Sequence, residues 1–133
     1  MRIFKFGGAS VKDAEGIRNV HNVLQTVGFE DVLLVVSAMG KTTNALEVVL
    51  NNYFDKSPEL QSSIQEVKKY HNQILLDLFE DDKNAVFKDV NSLFAELDHF
   101  VSQNKSPNYN FVYDQIVSFG ELISTTIKGT LLH

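Results

Sequence analysis

The sequence predicts an α/β fold in which a βαβ unit with parallel strands is followed by a mostly helical segment. Residues 2–6 form a short, aromatic-rich run that ends at a glycine pair, which predicts a strand. Over residues 13–27 apolar residues recur every three or four positions, which predicts an amphipathic helix. Residues 31–38 are a continuous β-branched and leucine run, typical of a strand covered on both faces in a parallel sheet.

The ends of the predicted elements follow from capping residues and periodicity. Asp13 is a suitable N-cap for the first helix, and Gly28 a suitable stop. Ser57 is a suitable cap with Pro58 at the first helical position. Further helices are predicted over residues 44–54, 64–79, 86–101 and 112–132, the last bent or interrupted at Gly120 and Gly129, with a loop at 104–110.

No strand is predicted after residue 38, although a parallel sheet normally has more than two strands. We therefore expect a piece of a longer protein, with a compact α+β domain as the alternative. The 133 residues are 44% hydrophobic and 22% charged, which suits one domain with a core. The net charge of −5 argues against a nucleic-acid partner. The absence of a signal peptide or a long apolar stretch predicts a cytoplasmic protein without a membrane partner.

The side chains that commonly bind metals are few. Without cysteine the chain has no thiolate catalysis, disulfide or Cys-type zinc site. The four histidines lie far apart, and we expect them to be solvated or at the edge of the core: His21, His71, His99 and His133. No metal site made by the protein is predicted.

The first motif is FKFGGASV, residues 4–11. Glycines after a strand let backbone N–H groups approach an anion, and a nearby helix N-terminus favours one. Lys5 lies in an otherwise apolar strand, where a buried cation would need a partner charge, and a phosphate would supply it. The alternative is that Gly7 and Gly8 form an ordinary turn.

The second motif is VVSAMGKTTNAL, residues 35–46, which again follows a strand and precedes a helix. Its polar residues, Ser37 and those at 41–44, would lie at the carboxyl end of the sheet, where ligands bind. A P-loop is not supported, because Val35 stands where that motif needs a glycine. The alternative is that Thr42, Thr43 or Asn44 caps the next helix.

The third motif is SFGELISTT, residues 118–126, in which Glu121 follows Gly120 among apolar residues. A carboxylate there could bind an amine. Its spacing fits a solvated helix residue equally well.

Together, the three motifs resemble those of aspartate kinases, members of the amino acid kinase family. KFGGASV is similar to K-F-G-G-[TS]-S-V, the second motif to S-A-x-x-x-x-T-N, and SFGELIST to S-x-G-E-x-[LIV]-S, in the same order. The resemblance implies a parallel-rich sheet between helices. It also implies transfer of the ATP γ-phosphoryl group to the β-carboxylate of L-aspartate, which opens the pathway to lysine, threonine and methionine.

The resemblance also implies roles for individual residues. Lys5 corresponds to the catalytic cation on the phosphates, and Gly7, Gly8 and Ser10 to the loop that binds the ATP phosphates. The residues that hold aspartate correspond to Ser37, Thr43 and Glu121, with the glutamate on the α-ammonium group. Mg²⁺ would be bound with the nucleotide. Ala9 stands where many relatives have threonine, which removes one hydroxyl from the phosphate loop.

By this resemblance, residues 1–133 are the N-terminal lobe of an aspartate kinase catalytic domain. The remainder of that domain and the ACT regulatory domains would lie in the full chain, so we expect the lobe alone to be inactive. A homo-oligomer is left open. One alternative is another enzyme of the family, acting on glutamate, acetylglutamate, carbamate or uridylate. The other is a non-catalytic helical interaction module.

Overall fold

The computed structural model describes residues 2–28, 30, 32–38, 40–79, 85–104 and 106–132. Within these ranges the chain forms two strands, a short 3-10 helix (Gly8–Val11) and five α-helices. The strands are β1 (Arg2–Phe6) and β2 (Val32–Val36), and the helices are α1 (Ala14–Val27), α2 (Thr42–Phe54), α3 (Leu60–Leu78), α4 (Ala85–Gln103) and α5 (Tyr109–Leu132).

The two strands pair in parallel, with α1 between them in the chain. The register runs from Arg2 opposite Val32 to Phe6 opposite Val36, so both strands end at the same edge. The parallel pairing agrees with the sequence-based prediction. In the described part of the chain these two strands make up the whole sheet, and most residues are helical. The α/β class is therefore not established by these residues themselves.

The predicted boundaries of α1 are confirmed, since side-chain and backbone caps satisfy both ends. The Asp13 carboxylate accepts a hydrogen bond from the Gly16 amide at 2.8 Å. At the other end Gly28 has a φ of 86°, a left-handed conformation that suits glycine, and its amide donates to the Leu24 carbonyl at 2.9 Å.

The core is formed mainly by helices. α2 packs against both α3 and α5, and α5 packs against α4. The largest fully buried side chains come from all five helices: Ile17, Leu24, Leu46, Leu50, Ile64, Leu75, Phe94, Leu97, Ile116, Ile123 and Ile127. Lys128 of α5 is also buried, and its ammonium group donates to the Ser124 hydroxyl at 3.1 Å.

Only one face of β1 packs against the core. Phe4 and Phe6 contact core residues, whereas Ile3 is 61% exposed and Lys5 is exposed. The premise that Lys5 is a buried cation is therefore wrong, because the side-chain alternation of the strand turns it away from the core. For the second predicted strand, Asp31 and the side chains at 33–36 lie outside the described part.

Three predicted helix starts were wrong, and one of them is that of α5, which begins at Tyr109 rather than at residue 112. α2 begins at Thr42 rather than Asn44, and its N-cap is Lys41, without a hydrogen bond from a capping side chain. Thr42, Thr43 and Asn44 are therefore not caps. α3 begins at Leu60, after a turn in which the Ser57 hydroxyl accepts from the Glu59 amide at 3.1 Å. Ser57 thus caps a turn, and Pro58 precedes the helix.

The predicted interruption of the last helix was also wrong, since α5 is continuous through Gly120 and Gly129. A glycine inside a helix costs about 1 kcal/mol relative to alanine. At Gly120 that cost is offset by a close contact with the second motif, described below. Of the helices in the described ranges, none is both long enough and apolar enough to cross a membrane. The location in the cell and the oligomeric state stay predictions.

Candidate functional site

Backbone hydrogen bonds join the segments that follow the two strands. We call residues 7–10 the phosphate loop and residues 37–43 the substrate loop, after their predicted roles. The Ser37 amide donates to the Phe6 carbonyl at 3.1 Å, which extends the strand pairing by one bond. The Gly40 amide donates to the Gly8 carbonyl, also at 3.1 Å. The first two motifs therefore form a single structural unit at the carboxyl edge of the strands.

Gly8 is required for this contact, whereas Gly7 is not. A Cβ on Gly8 would lie 2.9 Å from the Gly40 carbonyl oxygen and 3.3 Å from that of Ala38. The backbone at Gly7 is extended, with φ −76° and ψ 174°, and no described atom lies within 4 Å of a Cβ built there. Gly8 thus serves packing between the loops, and Gly7 leaves room beside the backbone for a ligand.

The third motif reaches the same place through Gly120 of α5. A Cβ on Gly120 would lie 3.0 Å from the Ala38 Cβ, 3.1 Å from the Leu46 Cδ1 and 3.2 Å from the Thr42 Cγ2. The helix can approach the substrate loop this closely only because residue 120 has no side chain. Glu121, the next residue, is exposed. The structure therefore brings all three motifs together.

The predicted site residues differ in how accessible they are. Lys5, Ser37 and Glu121 are exposed, and Thr43 is half-buried. The backbone of Ser10 belongs to the 3-10 helix, and its side chain and that of Ala9 lie outside the described part. Lys5 precedes the phosphate loop by two positions in the chain, and Glu121 follows Gly120, the residue that packs against the substrate loop.

A buried polar pair lies under the substrate loop. His71 of α3 is fully buried, unlike the solvated or core-edge position expected. Its Nδ1 donates to the Val67 carbonyl at 2.9 Å, which leaves Nε2 to accept from the Thr42 hydroxyl, 3.5 Å away. Burial lowers the pKa of His71, and the hydrogen bond to Val67 opposes this only partly. His71 is therefore a neutral core residue that supports the first turn of α2.

Tyr70, next to His71, contacts the chain just after the phosphate loop and lies close to Gly40 of the substrate loop. Its hydroxyl donates to the Lys12 carbonyl, just after the 3-10 helix. Gly40 has a φ of 53°, and a Cβ there would lie 2.5 Å from the Tyr70 hydroxyl and 3.2 Å from the Lys12 Cβ. A glycine is therefore needed at residue 40 both for its conformation and for space.

A cleft of about 790 Å³ lies beside this contact, and Lys41, Glu66 and Tyr70 are among the residues that line it. Its described lining includes Lys41 and Thr42 of the substrate loop, but none of the residues to which the resemblance assigns a role. We therefore place the candidate site at the edge where the three motifs meet rather than in this cleft.

The sequence-based reasoning missed the supporting residues. His71 carried a signal, because it lies four positions after Val67 in the apolar stripe of α3. The sequence shows no comparable signal for Tyr70. The packing roles of Gly40 and Gly120 depend on contacts between elements that are distant in the chain.

Comparison with known proteins shows similarity to aspartokinases over almost the whole chain. Aspartokinase 1, chloroplastic, of Arabidopsis thaliana is 31% identical over 134 residues, covering 98% of this chain and 23% of that protein. The bifunctional aspartokinase/homoserine dehydrogenase of Daucus carota is 30% identical over 136 residues, covering 98% of this chain and 14% of that protein. The chain thus spans less than a quarter of the length of these relatives. No family model matches it.

Solved structures show the same fold. E. coli aspartokinase III in complex with aspartate and ADP superposes with a TM-score of 0.82 at 22% identity, covering 99% of this chain and 28% of that chain. The same enzyme in complex with lysine and aspartate gives a TM-score of 0.80 at 23% identity. The resemblance predicted from the three motifs is confirmed.

Proposed function

We propose that this chain, which is similar along 98% of its length to part of the aspartokinases, is the N-terminal lobe of an aspartate kinase catalytic domain. Within the longer protein it would transfer the γ-phosphoryl group of ATP to the β-carboxylate of L-aspartate, giving 4-phospho-L-aspartate. This is the first step towards lysine, threonine and methionine. The observation that carries the proposal is that all three motifs meet at one edge of the paired strands.

The phosphate loop and Lys5 would hold the ATP phosphates. Lys5 is exposed on β1, and the space beside Gly7 is open to a ligand that approaches the backbone. An ammonium group and free backbone amides are the donors that phosphate oxygens require. Gly8 would hold the phosphate loop against the substrate loop, and Ser10 would add its backbone and hydroxyl group.

The substrate loop and α5 would hold aspartate. The exposed Ser37 and the half-buried Thr43 carry hydroxyl groups that can donate to a carboxylate. Glu121 is exposed beside the close contact of Gly120 with Ala38, and it would pair with the α-ammonium group. Together these groups match both charges of an amino acid.

For this reaction the protein needs mainly to position the two substrates and to stabilise the negative charge on the phosphates. The substrate carboxylate is already a nucleophile, so no protein base is needed. Lys5 would donate hydrogen bonds to the oxygens that gain charge during transfer. Mg²⁺ would enter with ATP and neutralise its phosphates.

The uncovered face of β1 supports the assignment to a lobe. Parallel strands are normally covered on both faces, yet Ile3 is 61% exposed. We propose that the remainder of the catalytic domain covers this face and supplies most of the adenine site. ACT domains would follow in the full chain, which agrees with the greater length of the aspartokinases that this chain resembles.

The test is ADP release with Mg-ATP, measured side by side on the full-length gene product and on the 133-residue chain. We expect turnover only with the full-length protein and only with L-aspartate. Glutamate, acetylglutamate, carbamate and uridylate serve as competing substrates. Turnover with one of these in place of aspartate would overturn the substrate assignment, and turnover by the 133-residue chain would overturn the assignment as an incomplete lobe.

A further inference from the structure

We propose that Tyr70 of α3 is a positioning residue that fixes the phosphate loop and the substrate loop relative to each other. This inference rests on the proposed function, because it concerns the alignment of the two substrates. Tyr70 lies outside all three motifs, and it touches neither substrate in the proposed arrangement. Its effect would be transmitted through Lys12 and Gly40.

The first contact holds the chain just after the phosphate loop. The Tyr70 hydroxyl donates to the carbonyl of Lys12, the residue that caps the carboxyl end of the 3-10 helix. That helix begins at Gly8, so a displacement of Lys12 would be passed to the phosphate loop through one short helical turn.

The second contact is with the substrate loop. A Cβ on Gly40 would lie 2.5 Å from the Tyr70 hydroxyl, so a side chain at residue 40 would displace the tyrosine. The Gly40 amide also donates to the Gly8 carbonyl. The tyrosine hydroxyl therefore lies beside the junction of the two loops, bonded to the Lys12 carbonyl on one side and close to Gly40 on the other.

The Tyr70 ring packs against a buried neighbour on α3, and its hydroxyl remains a donor at neutral pH. The adjacent His71 is fully buried, and its ring packs edge-to-face against that of Tyr70 with centroids 5.3 Å apart. Partial burial, together with the nearby Asp13 carboxylate, raises the pKa of Tyr70. The hydroxyl thus keeps the proton that the Lys12 carbonyl accepts.

Phosphoryl transfer depends on how accurately the two reacting groups are aligned. Each loop would still bind its own substrate if the connection between the loops loosened. We therefore expect Tyr70→Phe in the full-length protein to lower kcat about tenfold and to leave both KM values within about twofold, because a small misplacement costs rate more than affinity.

The matched control is Tyr53→Phe. The Tyr53 hydroxyl also donates to a backbone carbonyl, that of Asn104 at 3.0 Å, but it lies at the opposite end of α2. Both variants lose the same kind of hydrogen bond. If Tyr70 were merely structural, the two would lose similar thermal stability and keep the same kcat.

Hydrogen exchange at the Gly40 amide is the readout that does not require activity. Faster exchange in Tyr70→Phe than in Tyr53→Phe, together with the lowered kcat, would support the inference. Unchanged exchange, or faster exchange with unchanged kcat, would overturn it. If the wild-type protein does not phosphorylate aspartate, the proposed function fails separately. Hydrogen exchange at the Gly40 amide then decides on Tyr70, and unchanged exchange in Tyr70→Phe would overturn the inference.

Discussion

Gly8 and Gly40 pack backbone against backbone at the junction of the phosphate and substrate loops. The Gly40 amide donates to the Gly8 carbonyl at 3.1 Å, and a Cβ on Gly8 would lie 2.9 Å from the Gly40 carbonyl oxygen. The carbonyl oxygens of Gly40 and Ala38, which such a Cβ would approach, both belong to the backbone, so neither can move aside at low energetic cost. The positions of the two loops therefore depend on each other, and a side chain added at Gly8 would displace both.

The two neighbouring glycines should respond differently to alanine. We expect Gly8→Ala to destabilise the full-length protein by about 1–3 kcal/mol, as overpacking does. Gly7→Ala should leave stability equal or about 0.4–1 kcal/mol higher, because its extended backbone suits alanine. Gly7→Ala should also raise the KM for ATP about tenfold, a loss of about 1.4 kcal/mol of binding. Urea unfolding and steady-state kinetics measure these effects.

An unchanged KM for ATP in Gly7→Ala would remove Gly7 from the phosphate site. Equal stability of the two variants would contradict the contact between Gly8 and Gly40.

Lys5→Ala should lower kcat by about 10²–10³-fold in the full-length enzyme, which is typical for the loss of one donor to a developing charge. The fold should be preserved, since Lys5 lies on the face of β1 that does not pack against the core of these residues. The control is Lys69→Ala, which removes an exposed lysine of α3. A kcat equal to that of the control in an assay of ADP release would refute the catalytic role.

Glu121→Gln should raise the KM for aspartate about 10- to 100-fold, because a hydrogen bond to a charged group contributes about 1.5–3 kcal/mol. The KM for ATP and kcat should change little. Glu96→Gln, at an exposed glutamate of α4, is the matched control. If both variants gave the wild-type KM for aspartate in initial-rate measurements, Glu121 would be a solvated helix residue.

Gly120→Ala tests how α5 is seated on the substrate loop. Alanine is favoured over glycine in a helix by about 1 kcal/mol, but the added methyl group would overpack Ala38 at a cost of about 1–3 kcal/mol. We expect net destabilisation in thermal unfolding, together with a raised KM for aspartate as Glu121 moves with the helix. Increased stability would show that the neighbours yield and that the contact does not set the position of α5.

Lys128→Met should stabilise the chain below pH 8. Burial lowers the pKa of Lys128 to about 8 from 10.5, so between these values the unfolded state binds more protons and stability rises with pH. The free-energy cost of burying the charged Lys128 side chain is fully present below pH 8. Its removal should raise the free energy of unfolding by up to about 3 kcal/mol at pH 7. The gain should disappear as the pH approaches 10.5.

Urea unfolding of the 133-residue chain at several pH values, compared with Lys88→Met at an exposed lysine of α4, measures this difference. A gain that does not depend on pH would mean that packing, and not the charge, explains it.

The sequence predicted those features that depend on neighbouring residues. Asp13 and Gly28 mark the two ends of α1 as predicted, because a capping residue acts within one helical turn. The two strands also pair in parallel, as predicted. The start of α2 was missed because Thr42 turns its side chain towards His71 and Gly120 instead of capping. The burial expected for Lys5 was wrong, since exposure depends on what covers each face of the strand.

In the candidate site, too, features that depend on neighbouring residues were predictable, and those that depend on packing between distant segments were not. The three motifs identified its residues, but their meeting depends on Gly8, Gly40 and Gly120, whose roles come from contacts between distant segments. Tyr70 could not be found from its neighbours in the chain.

The contact of Gly120 with Ala38 and Thr42 also sets an order of events during synthesis on the ribosome. β1, α1 and β2 leave the exit tunnel before α5 has been made. The edge that carries Lys5 and Ser37 is then present without Glu121. Only when α5 emerges can it cover the apolar side of α2, so this surface is exposed to chaperones throughout translation of α3 and α4.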